Sequence, residues 1–303
     1  MHLNTINPEI SVGTEVQHIR VAILDLYNNE PNEGMRCILH LLNEYPAKLN
    51  QSISFKIYDV RFRHEVPTLD YDIYISTGGP GSPLEEPGAR WEKKYFEWLE
   101  LLLAFNKEHE SNKKHAFFIC HSFQLLCRYL GVAEVCRRSS TAFGIFPVHL
   151  TEDGKTDFLL NKLPDPFYAV DSRDWQIIQP DLKKLAKMGA RIMAIEKERP
   201  HVNFERAVMA IRFSEEIFGT QFHPEADALG MLHYLTRTDK KDHVVKHHGL
   251  EKYDQMLLHL NDVDKLNQTQ SKVLPAFLFH ALAVLENNLN KPVSNGKKVN
   301  IRI

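Results

Sequence analysis

The sequence predicts an α/β protein in three layers: an open, mainly parallel sheet with helices on both faces, followed by a C-terminal helical extension. Three observations point there. Short apolar runs alternate with amphipathic stretches from residue 18 onward. Runs such as VAILDL (21–26) and HAFFIC (115–120) lack a polar–apolar alternation, as strands covered on both faces do. The spacing between runs leaves room for crossover helices, which parallel pairing requires.

In order, His18–Leu26 reads as the first strand and Asn28–Gly34 as a polar turn. Met35–Tyr45 follows as a helix, with Met35, Ile38, Leu39 and Leu42 on one face. Ser54–Val60 and Asp72–Ser76 are the next strands, and Thr77-Gly78-Gly79-Pro80-Gly81-Ser82-Pro83 breaks the pattern. Trp91–Phe105 is an amphipathic helix whose Trp91, Tyr95, Phe96 and Trp98 read as core. His115–Cys120 is a short strand that runs into a helix stopped by Gly131. Residues 139–198 are expected to form short strands and turns. Val208–Phe213 and Ile217–Phe222 are late strands, and helical spacing resumes over Ala226–Leu235. Past Arg237 a Lys- and His-rich stretch leads to helices at Tyr253–Leu260 and Val273–Glu286. Residues 18–237 therefore read as a catalytic-type domain and 238–303 as a helical extension.

Composition narrows the function. Of 303 residues, 37 are Lys or Arg and 39 Asp or Glu, a net charge of −2, and 43% are hydrophobic. That balance excludes a disordered chain and gives no reason to expect a nucleic-acid partner. Four cysteines (Cys37, Cys120, Cys127, Cys136) are too few and scattered for a disulfide framework or a zinc knuckle. The N-terminus lacks a basic segment followed by an apolar one, and no apolar run reaches the roughly 18–20 residues of a membrane helix. A cytoplasmic protein with no membrane association is expected. His243 and His247 have i,i+4 spacing but no third ligand nearby, and with His248 they read as a solvated helix face; no metal site is expected. Gly154-Lys155-Thr156 is no phosphate loop, because His149 stands where the first Gly belongs. The stripe Leu274, Phe277, Leu278, Ala281, Leu282, Leu285 reads as helix packing, and Cys127 and Cys136 as buried thiols.

Three segments carry chemistry. Cys120 falls on the bend between a buried strand and a helix start, which turns its thiol out at the carboxyl edge of the sheet. The helix N-terminus there favours an anionic sulfur. Gly219-Thr220-Gln221-Phe222-His223-Pro224-Glu225 also ends a strand, so His223 and Glu225 reach the same edge. A cysteine nucleophile needs an imidazole to carry its proton, and the imidazole needs an acceptor to fix its tautomer. The loop 77–83 follows a third strand, and its adjacent glycines let a backbone N–H face a developing oxyanion.

Gly-Gly-Pro-Gly-Ser, then Cys-x-x-x-Gln-Leu-Leu, then Gln-Phe-His-Pro-Glu about 100 residues later resemble the class I glutamine amidotransferases, over roughly residues 18–237. The likeness is greatest to the amidotransferase domains of GMP synthases and their free-standing relatives. The resemblance implies a flavodoxin-like sheet and hydrolysis of the glutamine side-chain amide, with no cofactor. Cys120 would attack, His223 would shuttle the proton and Glu225 would orient the imidazole. The N–H groups of Gly79 and His121 would hold the oxyanion, and Gln124 would help bind glutamine. Glutamine or a γ-glutamyl small molecule is the implied substrate. A separate ammonia-accepting synthetase chain is an implied partner, because about 65 residues are too few for an acceptor domain. The sequence departs from the family at Phe118 and Ser122, where glycines are usual, and at Asp171-Ser172-Arg173-Asp174-Trp175, which keeps only an Asp of a usual His-Gly-Asp step. An altered acyl pocket is therefore expected. Two other readings stay open: a catalytically silent binding module on the same fold, and a cysteine hydrolase or transferase for another amide or ester.

Overall fold

A computed structural model describes residues 18–49, 52–85, 87–198 and 205–289. Nine strands form one sheet in the order β2-β1-β3-β4-β9-β8-β7-β5-β6. Its parallel half comprises β1 (His18–Asp25), β2 (Ser52–Asp59), β3 (Ile73–Ser76), β4 (His115–Ile119) and β9 (Ile217–Thr220). The other half is antiparallel: β5 (Glu134–Leu150), β6 (Phe167–Ile178), β7 (Arg191–Glu196) and β8 (Val208–Arg212). The sheet is therefore mixed, and its parallel half is the one built from βαβ crossovers.

Strand alternation divides the core between two faces. On β1, Val21 and Ile23 join one cluster with Phe117, Ile119 and the helix α1 (Glu33–Leu49). Ala22 and Leu24 join the other with Phe118, the helix α2 (Arg90–Glu108) and the helix α3 (His121–Leu130). Trp91, Tyr95 and Trp98 are buried in that second cluster. Two short helices, α4 (Glu152–Thr156) and α5 (Leu182–Met188), link the antiparallel strands.

The C-terminal helices are α6 (Ala228–Thr236), α7 (Thr238–His248), α8 (Leu250–Asn261) and α9 (Val263–Leu289). The apolar stripe of α9 is buried beside α1 in the first cluster, so α9 completes the layer on that face. A third cluster joins α6, α7 and α8 to Ile145 and Val170 of β5 and β6.

Two expectations need correction. Residues 139–198 do not form short strands and turns throughout: β5 and β6 are long strands of 17 and 12 residues, paired antiparallel with a bulge between Arg137 and Ala142. Their partly exposed, polar ribbon lacks the continuous apolar run by which buried strands are read. Cys136 is half-buried rather than buried, and its sulfur accepts a hydrogen bond from Gln176. The side chains of His243, His247 and His248 lie outside the described residues.

Candidate active site

Because β1, β3, β4 and β9 run parallel, their carboxyl ends open on one edge, where α/β folds place ligands. Thr77–Gly79 leave β3, Cys120 leaves β4 and Gln221–Glu225 leave β9. Register fixes the meeting: Ile119 pairs with Thr220, and the Cys120 N–H donates to the Thr220 carbonyl at 2.7 Å.

Cys120 has φ 49° and ψ −100°, a left-handed-side conformation that is strained for a residue with a Cβ. The turn is held by Ser122, whose hydroxyl donates to the Ser76 carbonyl at 2.7 Å and accepts from the Ile119 N–H at 2.8 Å. Ser76 in turn bonds the Tyr95 hydroxyl at 2.8 Å. The serine thus replaces a family glycine with hydrogen bonds. Phe118 points away from the cleft into the core, near Trp98 at 6.3 Å between ring centroids, and is fully buried. It leaves the pocket clear.

His223 accompanies the nucleophile on the adjoining strand end. Its N–H donates to the Val170 carbonyl at 2.9 Å, which ties its loop to β6. Its Nδ1 meets Glu225 Oε1 at 2.8 Å, and Glu225 is completely buried. Burial works against the charged imidazole, but the Glu225 carboxylate and the Cys120 sulfur outweigh it and hold the pKa of His223 well above the usual value. The other Glu225 oxygen, Oε2, has no hydrogen-bond partner among the described residues. Sulfur, imidazole and carboxylate therefore stand in series.

The remaining sequence-predicted residues line the same cleft, a cavity of about 1090 Å³ that contains Gly79, Cys120, His121, Gln124, His223 and Glu225. Gly79 packs so closely on β1 that a Cβ would stand 2.4 Å from the Leu26 carbonyl oxygen. The His121 N–H opens α3, where helix N–H groups have no intrahelical partner. The His121 ring is buried, and burial with Arg61 and Arg128 pushes its pKa down to about 3, so the ring is neutral at ordinary pH. Gln124 donates its amide to the Trp175 carbonyl at 3.2 Å and to Gln221 at 3.1 Å.

Several neighbours were not singled out from sequence. Gly78 passes against the imidazole: a Cβ there would lie 2.8 Å from His223 Cε1. Gln221 donates to the Cys120 sulfur at 3.6 Å, and the Ser172 carbonyl lies 3.9 Å from it. β6 is the far edge of the sheet, so this contact shows that the sheet curls back over the site. Tyr27, at the end of β1, shares the space above Gly34 with Glu225. Position at a carboxyl strand end was the signal available for Tyr27 and Gln221. Arg173 lines the cleft, but its guanidinium is bound to Asp171 at 2.8 and 3.0 Å and stands 3.6 Å from Glu196. Cys37 also borders the cavity; burial, then Asp227, push its thiol up to about 12, so it stays protonated.

A nucleophile-bearing turn, a paired imidazole and a buried carboxylate at the edge of an α/β sheet define a cysteine-dependent amidotransferase-type scaffold. The family model for glutamine amidotransferase class-I matches residues 36–238, and the chain belongs to that family. No match to a curated protein was found. Among solved structures, a glutamine amidotransferase from Thermotoga maritima superposes with a TM-score of 0.62 at 19% identity, covering 88% of this chain and 99% of its own. A putative GMP synthase glutaminase-type chain from Thermoplasma acidophilum gives 0.53 at 13%, covering 89% and 98%. The glutaminase domain of a Trypanosoma brucei CTPS gives 0.54 at 14%, covering 88% and 94%. At such identities these likenesses concern the fold. No helix among the described residues is long and apolar enough to cross a membrane.

Proposed function

We propose that the protein hydrolyses the side-chain amide of glutamine, or the corresponding amide of a γ-glutamyl compound, through a thioester on Cys120. The observation that carries this reading is the series Cys120–His223–Glu225, with the nucleophile on a strained strand-to-helix turn and the carboxylate wholly buried. Cys120 attacks the amide carbon while His223 takes the thiol proton and passes it to the leaving nitrogen. Glu225 fixes the imidazole tautomer and balances its charge. The N–H groups of Gly79 and His121 are assigned to the oxyanion and Gln124 to the glutamine end of the cleft.

Water then clears the thioester with His223 as base. No metal or cofactor is invoked. Among the similar structures, a CTPS glutaminase domain and a putative GMP synthase component support a separate synthetase chain as acceptor of the ammonia. The catalytically silent alternative drew on Phe118, Ser122 and Arg173; the first is core, the second bonds the turn and the third is paired. Ammonia release from glutamine by wild type and Cys120→Ser tests the proposal. Release that depends on Cys120 supports it. No release, together with no labelling of Cys120 by a glutamine-mimicking electrophile, overturns it.

A further inference from the structure

The cleft is far larger than its smallest substrate requires. Glutamine has about ten non-hydrogen atoms, and even at roughly 30 Å³ each, the share of a water molecule in the liquid, it would occupy only ~300 Å³. The cavity holds about 1090 Å³. The excess lies away from the nucleophile and is walled by Phe143 and Phe146 of β5, Met231 and Tyr234 of α6, Val244 of α7 and Met256 of α8. Most of these side chains belong to, or pack against, the third apolar cluster. The wall is closely made: a Cβ on Gly144 would touch Met256 Cε at 3.4 Å and Phe146 Cζ at 3.6 Å. Phe143 and Tyr234 present a tilted ring pair with centroids 5.0 Å apart.

Ammonia, a single nitrogen, needs no such chamber. An apolar wall gains from an apolar occupant and offers ammonia little. The charged pair on the lining, Arg237 and Asp239, is bonded to itself at 2.9 Å, so it does not demand a charge on the ligand. The wall comes from this chain's own helices rather than from a second chain.

We propose that this outer chamber binds the amine half of γ-glutamyl amides, and that the amine carries an aromatic or bulky hydrocarbon group. The proposal rests on the thioester reading of Cys120 given above. The sulfur bonds to the γ-carbonyl carbon, and the thiol proton travels through His223 to the amide nitrogen. The C–N bond then breaks, releasing the neutral amine into the chamber and leaving a γ-glutamyl thioester. Water adds to that carbon, its proton returns through His223 to sulfur, and glutamate leaves.

The test compares kcat/KM for glutamine, γ-glutamyl methylamide, γ-glutamyl phenethylamide and a γ-glutamyl alkyldiamine, with Cys120 labelling by a glutamine-mimicking electrophile alongside. The phenethylamide is expected to exceed glutamine and the diamine conjugate by at least ~10-fold, the scale of discrimination in a hydrophobic pocket. Met231→Trp, which fills the chamber, is expected to lower the phenethylamide-to-glutamine ratio by a similar factor. If Cys120 is labelled and glutamine is cleaved but the phenethylamide is no better, the chamber proposal fails while the amidase reading stands. A preference for the diamine conjugate also overturns the proposal. If neither labelling nor cleavage of any member occurs, both fall.

Discussion

Replacing Glu225 by Gln keeps its shape and removes its charge. The wild-type carboxylate lies 2.8 Å from His223 Nδ1 with no exposed surface. At that separation and an effective dielectric of about 20, unit charges attract by roughly 6 kcal/mol. An amide oxygen that still accepts from Nδ1 returns about 1–1.5 kcal/mol as a neutral hydrogen bond. About 4.5–5 kcal/mol of support for the imidazolium is lost, which corresponds to a fall in kcat of about 10³–10⁴ at 1.36 kcal/mol per decade. The assay is steady-state ammonia release from glutamine, with circular dichroism to confirm that the isosteric variant folds. Stability adds a signed pH test. The folded pKa of His223 lies above its unfolded value, so its proton contributes stability that is complete below about pH 6.5 and lost as pH rises through the folded value. The advantage of wild type over Glu225→Gln should therefore be largest near pH 6 and shrink in alkali. A folded variant with activity within tenfold of wild type would refute the orienting role.

Three further changes test the surrounding structure. Gly78→Ala sets a Cβ 2.8 Å from His223 Cε1, so a folded protein with kcat reduced about 10²-fold or more is expected, read by the same assay. Ser122→Ala leaves the Ser76 carbonyl and the Ile119 N–H short of a partner in a fully buried turn, and should cost about 1–3 kcal/mol in urea denaturation. His115 is fully buried, and neither ring nitrogen has a partner among the described residues; burial pushes its pKa down to about 4. The unfolded chain thus binds the proton that the native one refuses, and stability falls as pH drops from about 6.5 toward 4. His115→Phe should be more stable than wild type by about 2 kcal/mol at pH 5 beyond any difference at pH 7.5.

The parts of the site that sequence made legible share one property. Cys120, His223, Glu225, Gly79, His121 and Gln124 all follow apolar strands or open a helix, so strand polarity alone sends them to one edge. What it left dark depended on distant pairing. Whether Phe118 faced the cleft or the core turned on which face α2 and α3 would cover, and a single strand does not carry that information. Arg173 looked like a charge set into the acyl pocket; Glu196, one of the two carboxylates beside it, comes from β7 and is brought near only by the sheet. Ser172 reaches the sulfur because β6, the last strand in sheet order, curls back, a curvature no local spacing encodes. Gly78 shows the opposite case: it was in plain view, yet its closeness to His223 appears only once β3, β4 and β9 are side by side.

The central claim is that one sulfur forms a covalent bond with a γ-glutamyl carbon. Acid-quenching the enzyme during turnover of glutamine and mapping the adduct by peptide mass spectrometry measures this directly. The account predicts one γ-glutamyl group on the peptide bearing Cys120, absent from Cys120→Ala. Turnover of glutamine that survives in Cys120→Ala, or an adduct on Cys37, Cys127 or Cys136 instead, would contradict it.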